Sequence, residues 1–289
     1  MKRGFFEVRS YKLRKLENRV MISLAYLALI VALIPLASIL AETILRGLSA
    51  MSFSFFLEEI SPLGEPGGGI GPAIQGTLMV VALASVIGVP IGVFSGIYLA
   101  EFRQARIASA ARFLNDVLTN VPSIVLGIFG WTLIVLAVGW SVIAGAVALA
   151  IMMIPIVTRT TEEAIKLVPM TIREAAIALG VPRWKTTLTV VLTSAKKGIV
   201  TGILLSVARI SGETAPLLLT ILGSRFWFSG FTQPTAAMPV AIFNFSQSPY
   251  RRVDWPRAWG ASLILIFIVL VISIIVRYVT REKYGGTNI

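Results

Sequence analysis

Six runs of apolar residues dominate the chain, near 20–41, 75–99, 114–138, 140–158, 198–222 and 258–279. Each is close to the roughly 20 residues that a helix needs to cross about 30 Å of hydrocarbon, so the pattern predicts six membrane spans. The first run exceeds twenty residues and lacks the small-residue pair of a cleavage point. It therefore reads as a retained helix and not as a removed signal peptide.

The polar connections have their own grammar. In "TIREAAIALGVPRWKT", within the loop at about 159–197, Thr171 and Glu174 have capping-box spacing, and Ile172, Ala175, Ala176 and Leu179 recur on one helical face. Gly180 suits the C-cap and Pro182 the stop, which predicts a short helix, a sharp turn and a second helix from near Arg183. The Gly/Pro-rich "SPLGEPGGGIGPAIQGT" leads into the second span. The loop at about 223–257 is rich in Phe226, Trp227, Phe228, Phe231, Phe243, Phe245 and Trp255, read as interfacial anchors, and its "AAMPVAIFNF" predicts a short surface or re-entrant helix. No fixed-period repeat is visible.

Composition fixes the class. With 56% hydrophobic and 14% charged residues over 289 positions, the chain is too apolar for a soluble domain, and the reading is an all-α polytopic membrane protein. Of the 26 Lys and Arg, 20 fall in residues 1–19, 100–112, 159–197 and 277–289. The positive-inside rule then places both termini in the cytoplasm. The net charge of +12 flanks helices and builds no basic domain, so anionic lipid headgroups, especially for an interfacial helix in the tail 1–19, are the expected partner and nucleic acid is not. The absence of Cys and His removes thiol nucleophiles, imidazole bases and the usual zinc ligands. No metal site and no catalytic centre is expected.

Arg209 is the one cation inside a span. On a helix of 100° per residue, Gly198, Gly202, Ser206, Arg209, Glu213, Pro216 and Thr220 fall within about 40° of one line. An Arg at mid-membrane costs roughly 2.5–3.5 kcal/mol even on the lenient insertion scale, while an i,i+4 pair returns only about 0.2–0.5 kcal/mol in water. A guanidinium forks toward two oxygens, which suits an oxyanion crossing a constriction, with Glu213 easing its release. The alternative is an ion pair that fixes helix register. Arg209, Glu213, Ser206 and Thr220 are the candidate pathway residues.

At this point "EAAIALG" resembles the EAA signature of type I ABC importer permeases. Glu174, Ala175, Ala176 and Gly180 match, whereas Val190, Val191, Leu192 and Thr193 replace the expected I-x-L-P. The blocks "GIYLAEF", "VPSIVLGIFG", "ARISGETAPLLLT" and "QPTAAMPVAIFNF" resemble the phosphate-importer permeases across roughly residues 67–280. The resemblance implies the type I permease fold in a bacterial or archaeal plasma (inner) membrane. It implies a tail at 1–19, a first helix and outer loop at 20–66, a permease core at 67–280 with its coupling loop at about 159–193, and a tail at 281–289.

It also implies partners: a second, homologous permease subunit, two ATPase subunits and an extracytoplasmic phosphate-binding protein. Arg173, Glu174, Ala175, Ala176 and Gly180 would then form the helix that docks on the ATPase, and ATP with Mg would belong to that partner. In agreement, no G-x-x-x-x-G-K-[ST] occurs in this chain. A permease for another oxyanion and a secondary anion transporter are the rival readings.

Lesser signals are weaker. Ser194 and Lys197 have the S-x-x-K spacing of an acyl enzyme, without its companion motifs. Asp116 is a candidate cap or coupling-loop contact. Gly88, Pro90, Gly92 and Gly96 predict close packing and a kink in span two, and Trp140 an interfacial turn.

Overall fold

A computed structural model describes residues 11–279. The first ten residues of the basic tail and the predicted 281–289 tail lie outside the described residues. The helices in order are α1 (Tyr11–Leu48), α2 (Phe53–Leu57), α3 (Gly71–Glu101), α4 (Arg106–Asn120), α5 (Ser123–Gly130), α6 (Leu136–Val138), α7 (Val142–Lys166), α8 (Met170–Ala178), α9 (Arg183–Lys185), α10 (Leu192–Ser211), α11 (Ala215–Thr220), α12 (Met238–Gln247) and α13 (Arg251–Val279). Short π-helical turns join α5 to α6 and α9 to α10. Among the described residues the β structure is a single bridge, Leu222 to Thr235. The molecule is an all-α, multi-pass membrane protein.

Five helices are long and apolar enough to span, and a sixth follows if the pair Arg106–Asn120 and Ser123–Val138 counts as one. The third predicted span, 114–138, is therefore not straight, because its two halves meet at 105°. Val121 stands in an extended conformation at φ −68° and ψ 132°, as expected of a residue whose α region is blocked by the ring of the following Pro122. The first span extends without a break from Tyr11, so residues 11–19 continue that helix and do not form a separate interfacial one.

The centre is the parallel pair α3 and α7. Gly88, Gly92 and Gly96 recur every four residues, and a methyl on them would sit 3.2 Å from Met153 Cβ, 2.6 Å from Val157 Cβ and 2.6 Å from Thr161 Cβ. Bare glycine faces let the two backbones approach, and α3 passes Pro90 as one continuous helix. Around this pair α5, α10 and α11 bury Leu126, Ile210 and Leu217. A second cluster near the start of α13 holds Phe55, Met238 and Phe245. Phe245 is only 1% exposed, so it is a core residue and not an interfacial anchor. The "AAMPVAIFNF" segment folds as α12 and packs on α13.

Helix α1 stands apart: every described side chain from Leu13 to Ala41 is exposed, and only Thr43 and Gly47 are buried, the latter against Leu263 of α13.

Candidate functional site

The fifth predicted span, 198–222, is broken. Helix α10 ends at Ser211 and α11 begins at Ala215. Pro216 supplies the cause, since its ring would collide with the carbonyl of Gly212 one turn earlier if the helix continued. The predicted stripe is thereby split into three environments. Gly198 and Gly202 face Ala164 and Thr160 of α7, where any larger residue would overlap them. Ser206 is fully buried, and its hydroxyl donates to Ile203 O at 2.7 Å.

Thr220 is also fully buried and donates to Pro216 O at 2.8 Å. Both hydroxyls are spent on carbonyls of their own helices, and the single stripe expected of an unbroken helix is interrupted at residues 212–214. The small size of Gly198 and Gly202 draws the first half of α10 onto α7.

Arg209 is placed differently. Its side chain is 60% exposed at the end of α10, and its Nε lies 3.7 Å from Glu213 Oε1, with Glu213 18% exposed. That separation is an ion pair without a hydrogen bond, so the guanidinium keeps its donors for another acceptor.

At the other end of the bundle, α8 forms where the EAA-like segment predicts a helix, though by a different start. Pro169 is the N-cap and no side chain caps the helix, so the Thr171–Glu174 capping box is not made: Pro169, with φ already near the helical value, begins the turn two residues earlier. The C-terminus follows expectation. Gly180 at φ +82° donates to Ile177 O at 2.9 Å, and Val181 N–H reaches Ala176 O at 3.1 Å, the paired bonds of a Schellman motif.

The face that packs is not Ile172, Ala175, Ala176 and Leu179. Of these only Ala176 is buried, and Leu179 is 85% exposed. Arg173, expected on the docking surface, turns inward and donates from Nη1 to Glu101 Oε1 at the end of α3, at 13% exposure. Glu174 and Ala175 remain exposed beside Met170, Ile172 and Ile177.

Two buried charge clusters escaped the sequence reading. Glu162, 1% exposed, accepts from Arg112 Nε at 2.8 Å and pairs with Lys166. Arg112 also donates to Arg103 O and Leu99 O, which ties α4 to the ends of α3 and α7. Asp254, fully buried, pairs with Arg257 at 3.1 Å and accepts from Gly64 N–H at 3.0 Å. Arg257 in turn donates to the carbonyls of Glu65 and Gly67. The i,i+4 and i,i+3 spacings of Glu162–Lys166 and Asp254–Arg257 were the available signals.

Asp116 lies within α4 and does not cap it; its carboxylate is 4.0 Å from Arg159, the first residue of the segment expected as the coupling loop, which the structure places in the last turns of α7. Ser194 donates to Val190 O at 2.8 Å, a back-bond within its own helix and not a nucleophile's arrangement.

Comparison with known proteins gives concordant results. The model of the family described as "Binding-protein-dependent transport system inner membrane component" matches residues 88–282. The chain is 42% identical over 276 residues to the Phosphate transport system permease protein PstA of Yersinia pestis, covering 93% of this chain and 92% of that one. It is 43% identical over 276 residues to the PstA protein of Pasteurella multocida, covering 93% and 96%. Among solved structures, a chain of a bacterial ABC transporter involved in the import of the acidic polysaccharide alginate superposes with a TM-score of 0.67 at 12% identity, covering 93% of this chain and 99% of that one.

Proposed function

The chain belongs to the family of binding-protein-dependent transport system inner membrane components, and from that membership we propose that it is the phosphate-conducting permease subunit of an ATP-driven importer. Relatives named for phosphate transport, at 42% and 43% identity over nearly the whole chain, support phosphate as the substrate. The chain forms the pathway with a second, homologous permease subunit. Phosphate arrives from an extracytoplasmic binding protein, and ATP with Mg²⁺ is handled by two partner ATPase subunits. The end of the bundle that carries α8 faces the cytoplasm, as do both termini, in keeping with the distribution of Lys and Arg.

One structural observation carries the mechanism: Arg209 is mostly exposed and only loosely paired with Glu213 at 3.7 Å. A guanidinium in low dielectric attracts a phosphate oxyanion strongly, and its open face needs a second wall, which the partner permease supplies. Glu213, less exposed and beside it, accepts a hydrogen bond from the O–H of hydrogen phosphate and moderates the attraction so that the anion leaves. Sulfate has no such proton. ATP-driven closure of the ATPase pair moves α8, whose exposed Glu174 and Ala175 meet the ATPase, and the cavity switches between outward and inward access.

The test is uptake of radiolabelled phosphate by the complete complex in liposomes. Arg209→Ala should abolish ATP-dependent uptake while the complex still assembles and hydrolyses ATP. Normal uptake by that variant overturns the pathway reading, and uptake that persists without ATP replaces the importer with a secondary transporter.

A further inference from the structure

A cavity of about 570 Å³ opens between the end of α3, the connection into α4, and helices α8 and α9. Three arginines line it, Arg103, Arg173 and Arg183, against a single carboxylate, Glu101. Each arginine is engaged to a different degree. Arg173 is bound to Glu101. Arg103 donates only Nε, to Ala100 O at 3.2 Å. The side chain of Arg183 makes no hydrogen bond or ion pair among the described residues. Arg103 and Arg183 therefore line a shared space with their forked ends unspent, and the single carboxylate there, Glu101, is taken by Arg173.

We propose that this cavity binds a phosphoryl oxyanion, gripped by Arg103 and Arg183. Planar guanidinium groups select tetrahedral oxyanions by paired hydrogen bonds, and Gln104 in the same lining adds an amide donor. The volume lies in the range of small-ligand sites, so it admits a free phosphate or the phosphodiester of a lipid headgroup. Positive charges at this end of the bundle favour either source.

The bound group would span the segment after α3 and the start of α9, which line the cavity together with α8. It also offers Arg173 a second acceptor in competition with Glu101, so its arrival is felt by α8. That consequence for transport rests on α8 being the lever to the ATPase; the binding itself does not.

The experiment uses the assembled complex without its binding protein, in phosphatidylcholine nanodiscs, read by hydrogen exchange over residues 102–105 and 183–187. One arm adds inorganic phosphate and the other replaces part of the lipid with phosphatidylglycerol. Exchange in both segments should slow about threefold once ligand exceeds its Kd about twofold. The Arg103→Gln/Arg183→Gln double variant should lose this protection at unchanged assembly and basal ATP hydrolysis.

Protection in the phosphate arm assigns the site to free phosphate, and protection in the lipid arm to a headgroup. No protection in either arm, or protection that persists in the double variant, overturns the proposal. Arg209→Ala leaves this signature intact, so failure here and failure of the pathway reading are separable.

Discussion

Arg173 of α8 donates to Glu101 at the last turn of α3, with the two side chains 13% and 24% exposed. The bond joins the EAA-like segment to a helix 72 positions earlier in the chain. Helix α8 otherwise buries only Ala176, so little apolar packing fixes its orientation. A single charge-assisted hydrogen bond, together with the Arg173 contact to Ile165 O at 3.5 Å, sets which face turns outward.

Removing one partner should be worse than removing both. In Arg173→Ala, Glu101 keeps a poorly solvated charge with no cation, and a hydrogen bond to a charged group contributes about 1.5–3 kcal/mol; the partial exposure favours the lower end. We expect phosphate-stimulated ATP hydrolysis to fall several-fold, and the Glu101→Ala/Arg173→Ala double variant to recover part of it. Rates measured in the reconstituted complex decide the matter. Strictly additive effects would mean that the pair does not orient α8.

Glu213 is predicted to set release. In Glu213→Gln the carboxylate that tempers Arg209 is gone, so the anion is held longer and its proton no longer meets a charged acceptor. Uptake should slow several-fold, and sulfate should become a better competitor against phosphate. Competition assays that find both the rate and the phosphate preference unchanged would remove Glu213 from the pathway.

Much of the architecture could be read in advance, because a bilayer imposes length and hydrophobicity on every span. The six runs, the short α12 and the Gly180 stop all arise from local chemistry. Direction is less local. A hydropathy run across 114–138 reports that Val121 and Pro122 are apolar, not that together they turn the chain by 105°. Helical geometry extrapolated through 198–222 put Ser206 and Thr220 in line with Arg209, whereas Pro216 breaks that line and α7 buries its small residues. The inward turn of Arg173 was hidden for another reason: its partner, Glu101, is remote in sequence, and no spacing rule links them.

Two glycines should separate packing from backbone conformation. In Gly92→Ala the new methyl lies 2.6 Å from Val157 Cβ, so α3 and α7 must part, at a cost of about 1–3 kcal/mol. In Gly180→Ala nothing lies within 4 Å, but φ is +82°, which costs an L-residue about 1–2 kcal/mol. The first variant should lower the thermal midpoint of the purified complex. The second should leave it unchanged and speed amide exchange at 176–181 alone, since α8 lies outside the packed centre.

The last prediction concerns Asp254, which holds the Gly/Pro-rich loop to the start of α13. Its carboxylate is fully buried and serves three partners: Arg257, Gly64 N–H and Ser248 Oγ. Asp254→Ala would leave the Arg257 guanidinium, itself 9% exposed, without its counter-charge, and breaking a buried pair from one side costs about 3–5 kcal/mol. The carbonyls of Glu65 and Gly67 still accept from Arg257, which softens the loss towards the lower figure.

The loop at 59–69 should therefore detach before the helices do. We expect limited proteolysis to cut there many-fold faster in Asp254→Ala, while Asp254→Asn, which keeps an acceptor oxygen for Gly64 N–H, falls between. Equal cleavage of all three proteins would show that the loop is held by Ile60 N–H to Arg225 O, at 3.1 Å, and not by the buried charge.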